Sequence, residues 1–198
     1  QVLNESGKAD TKLMPKLSGE DVLKMYECMV LTRVFDDKAF KMQRQGRLGT
    51  YASCLGQEAA QIGSAFALQH DDWAFPSFRE HGVFIARNMP LSRYFQAWSG
   101  DERGMHIPEG INMFTVTIPV STQIPHAVGL AWAMKLKKKK AVSVVYFGDG
   151  ATSRGDFHEA LNFAGVFNLP CVFICQNNQW AISVPVSRQT AAKTLAQK

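Results

Sequence analysis

Apolar residues recur along this chain in two patterns. In LSGEDVLKMYECMVLTRVFDDKAFKMQRQG, residues Leu23, Met25, Met29, Val30 and Val34 repeat at helical spacing. Ser18 stands as N-cap, Asp21 lies in the first turn, and Gly46 stops the pattern. A second helix is expected from about Gln57 to His70. The turn-rich WAFPSFREHG follows, with a helix from Arg79 or Glu80, then a short helix in LSRYFQAWSG. Residues 100–118 read as irregular, and residues 121–136 return to helical spacing with the small residues Ala127, Gly129, Ala131 and Ala133. The second pattern is continuous. AVSVVYFG and CVFICQNN are apolar runs of the fully buried strand type, and DFHEALNFAGVFN between them is helical. Strand, helix, strand in so short a span is a βαβ unit, so parallel strands and a right-handed crossover are expected. The fold class is α/β, a parallel sheet flanked by helices, with an N-terminal arm over residues 1–16 and one domain over 17–198.

The 198 residues are 46% hydrophobic and 20% charged, an ordinary composition for one globular domain. The net charge of +5 changes little. Its densest part, Lys135, Lys137, Lys138, Lys139 and Lys140, suits a solvated helix end, and no nucleic-acid patch is expected. Cys28, Cys54, Cys171 and Cys175 have neither metal-ligand spacing nor the density of a disulfide framework. Cys171 and Cys175 are expected to be buried reduced thiols. No apolar run approaches the length of a membrane span. A soluble cytoplasmic protein is expected, with a mitochondrial matrix form open if the source is eukaryotic.

Candidate chemistry gathers in VVYFGDGATSRGD, where Gly148 and Gly150 bracket Asp149 at a strand end. Open α/β sheets bind ligands there. The two glycines predict a sharp turn through positive φ and leave room for a close ligand. The second strand ends in QNNQWAIS. In a parallel unit both ends lie side by side, so Asp149 and the Asn177–Asn178 pair should converge. A carboxylate, an amide oxygen and a backbone carbonyl suit Mg²⁺ sharing its shell with phosphates. The helix after Gly150 would turn free N–H groups toward an anion. No Gly-Lys-Ser/Thr follows, so this is not a Walker loop. Each element alone also fits a tight turn or a helix cap; the two at neighbouring strand ends favour a metal–diphosphate site.

GDG, the 26 residues 151–176 and then NN resemble the motif of thiamin diphosphate enzymes. RLGTYASCLGQEAAQIGSAFAL, WAFPSFREHG, IPEGIN, TQIPHAVGLA and QNNQWAISVPV are together similar to one family. It is the alpha subunit of the decarboxylating component of 2-oxoacid dehydrogenases, of pyruvate or branched-chain type. The resemblance runs from about residue 20 to the last residue. It implies Mg²⁺ held by Asp149, Asn178 and the Trp180 carbonyl. It implies a diphosphate gripped by Arg79 and by backbone N–H groups of Gly150 and Ala151, beside Gly148. Phe78 stands where the family often has Tyr, which removes one hydroxyl contact. Ile118 would meet the aminopyrimidine ring through its backbone, and Val120 would wedge beneath the bent cofactor. Thr117, Pro119, Thr122 and Gln123 resemble a potassium site of branched-chain members; from the residues alone, a strand leading into a packed helix serves equally.

The implied function is oxidative decarboxylation of a 2-oxoacid with acyl transfer to a lipoyl domain. The implied partners are a beta subunit, in an alpha2beta2 heterotetramer, and a lipoyl acyltransferase core. The family's reactive histidine loop has no match before Lys198, so the chain is expected to be cut short, and the family's activating glutamate belongs to the beta subunit. No catalytic acid or base is therefore named among these residues. A non-catalytic assembly subunit, or another thiamin-dependent enzyme, is the alternative. RQGRLG, IPEGIN and KTLAQK resemble pyruvate-type chains, whereas TQIPHAVG resembles branched-chain ones. His81, His106, His126 and His158 read as partly buried or surface residues. Glu58 and Glu159 read as structural, and Trp73, Phe75 and Phe78 as packing.

Overall fold

The computed structural model describes residues 2–198; Gln1 of the expected arm lies outside them. Residues 2–18 are exposed except for half-buried Ala9, and are joined to themselves by a bridge between Leu3 and Ala9. Helix α1 (Gly19–Arg44) opens with a reciprocal cap. The Asp21 N–H donates to the Ser18 hydroxyl (3.1 Å), and the Ser18 N–H donates back to the Asp21 carboxylate (3.4 Å). Gly46, at φ +71°, closes it as expected. Then come α2 (Glu58–Phe66), β1 (Trp73–Phe75), α3 (His81–Ala86), α4 (Leu91–Trp98) and α5 (Gln123–Leu136). They are followed by β2 (Ser143–Gly148), α6 (Gly155–Val166), β3 (Cys171–Gln176), a β4–β5 hairpin (Trp180–Ala181 and Val184–Pro185) and α7 (Val186–Gln189).

The main sheet is parallel, ordered β1-β2-β3. Its central strand organises the core by alternation. Val144 and Tyr146 face a cluster with Phe35 and Ala39 of α1, Val83 and Phe84 of α3, and Tyr94 and Trp98 of α4. Val145 and Phe147 face the opposite way, into Ile124, Ala127 and Val128 of α5 and Phe157, Ala160 and Ala164 of α6. Helices thus cover both faces, the arrangement a parallel sheet requires.

Four expectations are corrected. WAFPSFREHG holds a strand, since β1 is bonded on both sides: the Trp73 N–H donates to the Val142 carbonyl (2.9 Å) and the Phe114 N–H to the Ala74 carbonyl (2.8 Å). Helix α2 stops at Phe66 rather than His70, because buried Asp72 takes the Gln69 N–H (2.7 Å) into a turn and ties it to the Val142 N–H (2.7 Å). On α1 the buried face is Thr32, Phe35, Asp36 and Ala39, while Leu23, Val30 and Val34 are exposed. The helix is apolar on more than one side, so periodicity did not select the inner one. Cys171 and Cys175 are half-buried, because β3 pairs on one edge only. No disulfide forms among the described residues, and none of their helices is long and apolar enough to cross a membrane.

Gly104 marks where α4 meets the 3₁₀ turn Glu102–Met105: a β-carbon there would overlap the Ala97 amide nitrogen and the Arg93 carbonyl. Backbone cannot yield as a side chain can. Gly104→Ala is therefore expected to cost about 3 kcal/mol, the upper range for overpacking, measured by urea unfolding. A change below about 0.5 kcal/mol would show that the α4 junction is soft.

Candidate cofactor and metal site

The register Gly148↔Gln176 sets the C-terminal ends of β2 and β3 side by side, so the segments that follow share one opening. A cavity of about 450 Å³ lies there. Phe78, Arg79, Val120, Gly148, Asp149, Gly150, Ala151, Asn178 and Trp180 all line it. Ile118 does not; it borders a separate apolar cavity with Thr50, Trp98 and Met105. Of the potassium candidates, Gln123 lines the main cavity, whereas Thr117, Pro119 and Thr122 lie outside it. Phe78 is at the cavity wall, with the Arg79 guanidinium 5.6 Å from its ring centre, while Phe75 is core.

Asp149 is 1% exposed, and its carboxylate accepts one hydrogen bond, from Gln189 Nε2 (2.8 Å). Asn178 Oδ1 accepts from the Trp180 N–H (3.0 Å), which folds the loop after β3 back toward the opening. The glycine expectation needs correction: neither Gly148 nor Gly150 has positive φ, and Gly148 sits at φ −84°. Space is what Gly150 provides. A β-carbon there would sit 2.8 Å from Cβ of Ala181 on β4. Residues Asp149–Ser153 form a 3₁₀ turn before α6 begins, and Ala151 is buried within it.

The donor set suits a hard cation beside an anion. Asp149 offers a buried carboxylate with oxygen capacity to spare, Asn178 a second oxygen, and Arg79 a fixed cation across the cavity. Gln123 adds an orphan: its Nε2 donates to the Tyr146 carbonyl (2.7 Å), while buried Oε1 has no partner. Buried polar atoms are rarely left so, and a cation would satisfy this one.

Sequence reasoning missed the floor of this cavity. Glu80 is 2% exposed and accepts from the Ser77 N–H (2.7 Å) and from Gln176 Nε2 (2.6 Å). Burial pushes its carboxyl above the usual range, against the hydrogen bonds it accepts. His81, expected to be partly buried or at the surface, is wholly buried beside it, and burial lowers its imidazole to about 4. His106, His126 and His158 are exposed, as expected. Glu58 is buried and paired with Arg33 Nε at 2.5 Å.

Glu80 and His81 give opposite pH slopes. His81 ordinarily titrates near 6.5. Between that value and about 4 the unfolded chain takes up a proton there that the folded chain refuses, so acidification weakens the fold. Glu80 holds its proton to higher pH when folded, so its contribution is present below the ordinary carboxylate range and lost as pH rises through the raised value. Glu80→Gln should therefore make stability climb more steeply with pH from about 4.5 upward. Urea midpoints across that window test it; an unchanged slope would mean Glu80 is ionised in the folded chain.

The profile of the family described as Dehydrogenase E1 component matches residues 26–198. The chain belongs to that family. Relatives agree in kind. A 3-methyl-2-oxobutanoate dehydrogenase subunit alpha of Mycobacterium tuberculosis is 47% identical over 195 residues, covering 96% of this chain and 52% of that protein. Pyruvate dehydrogenase E1 component subunits alpha of Bacillus cereus and Staphylococcus aureus are 43% and 42% identical over 199 residues, covering 100% of this chain and 54% of theirs. This E1 component chain thus spans about half the length of the relatives it matches.

Proposed function

We propose that this chain carries the diphosphate- and metal-binding part of a 2-oxoacid dehydrogenase alpha subunit, within a domain over residues 17–198 preceded by an arm over 1–16. The observation that carries this reading is the convergence of Asp149, Asn178 and Arg79 on one cavity at the ends of parallel strands, in a chain of the E1 component family. Asp149, Asn178 and the Trp180 carbonyl would hold Mg²⁺, and Arg79 with the N–H groups of Gly150 and Ala151 would hold the diphosphate. Bound thiamin diphosphate would supply the electron sink for CO₂ loss. These residues would bind and orient, and Phe78, Val120 and Trp180 make part of the cavity wall apolar. A beta subunit would complete the site in an alpha2beta2 assembly, and a lipoyl acyltransferase core would accept the acyl group.

A potassium ion between Thr117, Pro119, Thr122 and Gln123 is part of this proposal, supported by the unpartnered Gln123 Oε1. Replacing K⁺ by Li⁺ should then lower the melting temperature of the wild-type protein and leave Gln123→Ala unaffected; equal responses would remove the ion. For the function itself, the test is CO₂ release by the complete alpha–beta assembly, with pyruvate and 3-methyl-2-oxobutanoate compared at saturating thiamin diphosphate. Turnover of either substrate supports the reading. Cofactor binding without turnover of any 2-oxoacid would make this an assembly subunit.

A further inference from the structure

One buried polar cluster lies outside the cofactor cavity. Asp36 on α1, Cys54, and His81 at the start of α3 bring carboxylate, thiol and imidazole atoms within 4.8 Å of one another. Their hydrogen bonds argue against a metal centre. His81 Nε2 lies 2.6 Å from the Ala52 carbonyl, which can only accept, so Nε2 donates and Nδ1 accepts from the Tyr94 hydroxyl (2.7 Å). Burial keeps the Cys54 thiol protonated. The Asp36 carboxylate already accepts three bonds: from the Tyr51 hydroxyl (2.8 Å), the Ser53 hydroxyl (2.6 Å) and the Cys54 N–H (2.8 Å).

What these groups share is residues 51–54, gripped from two sides. Asp36 holds Tyr51, Ser53 and Cys54 from α1, and His81 holds Ala52 from α3, with the Tyr51 ring stacked on the imidazole at 4.8 Å. Between them the Ser53 carbonyl accepts a hydrogen bond from Nη1 of Arg79. A second carbonyl, that of Arg79 itself, accepts from Gln61 Nε2 (3.0 Å), which fixes the backbone but not the guanidinium. The guanidinium's direction thus depends on where residues 51–54 put the Ser53 carbonyl. Burial alone would raise the Asp36 carboxyl, but its three donors outweigh that and hold it below the usual value, so the anchor is ionised.

We propose that Asp36 is a positioning residue for anion binding: it acts through residues 51–54 to aim the Arg79 guanidinium into the cavity, and so sets affinity for a diphosphate it never touches. The inference rests on the diphosphate reading of Arg79. It follows that the effect of Asp36 must vanish when Arg79 is gone, because coupled residues do not add.

The test is a double-substitution cycle on the full-length alpha subunit assembled with its beta partner, titrated with thiamin diphosphate. Asp36→Asn is expected to weaken binding about tenfold, as loss of one well-placed charged contact would, and to leave plain thiamin unchanged. In an Arg79→Gln background the same change should be less than about twofold. An equal fold-change in both backgrounds would overturn the inference and leave the diphosphate reading standing. If Arg79→Gln alone does not weaken thiamin diphosphate, both fall. Should Asp36→Asn not fold, Tyr51→Phe removes a single donor while keeping the ring stack. It is expected to weaken binding about threefold, again only when Arg79 is present, and equal losses in both backgrounds would be the contrary result.

Discussion

Asp149→Ala is expected to lower Mg²⁺-dependent affinity for thiamin diphosphate by about 100-fold or more, beyond the loss from merely disorienting a metal ligand. The same change should move fold stability by only about 1 kcal/mol, because the carboxylate's one protein partner is a neutral amide of Gln189. The two quantities separate a ligand from a turn residue. Asp149 is buried at the end of the central strand and accepts only that one hydrogen bond, which leaves carboxylate oxygen capacity for a cation. A turn residue held only by that hydrogen bond would instead change stability and affinity together. If melting temperature falls in step with affinity, Asp149 is structural and the metal assignment fails.

The second large effect concerns Arg79. With Nη1 committed to the Ser53 carbonyl, the remaining N–H groups of the guanidinium fork are free for phosphate oxygens. Lysine offers a compact point charge without the planar fork that holds carbonyl and phosphate in fixed directions. Arg79→Lys should weaken thiamin diphosphate about 30-fold while leaving the weak binding of plain thiamin unchanged. Calorimetric titrations with the two ligands read this directly. Equal losses for both would show that Arg79 packs rather than grips.

How much of this was legible in the sequence depended on whether the signal was local. The βαβ unit could be read because AVSVVYFG and CVFICQNN are long, uninterrupted and flanked by turn residues, and Asp149 and Asn178 followed from parallel strand ends. Strand β1 could not be read. Trp73–Phe75 is three residues before a proline, and only its tertiary pairing with β2, with further hydrogen bonds to Val142 and residues 112–114, makes it a strand. No local signal sets Asp36 apart from the other charges of α1, because its three donors come from a loop reached only by the tertiary fold. Glu80 and Gln176 are distant in sequence and meet only through the sheet. In GDG the expected positive φ is absent at both glycines, and it is the close approach of Ala181 that excludes a side chain at Gly150.

One cavity at the ends of β2 and β3 is proposed to bind a diphosphate through a metal. Its most direct measurement is the calorimetric titration of thiamin diphosphate into the complete alpha–beta assembly, in Mg²⁺ and again in EDTA, for the wild-type protein and Asp149→Ala. The expected result is saturable binding in Mg²⁺ that is lost in EDTA and lost in the variant. Binding of equal strength in EDTA, or in Asp149→Ala, would contradict it.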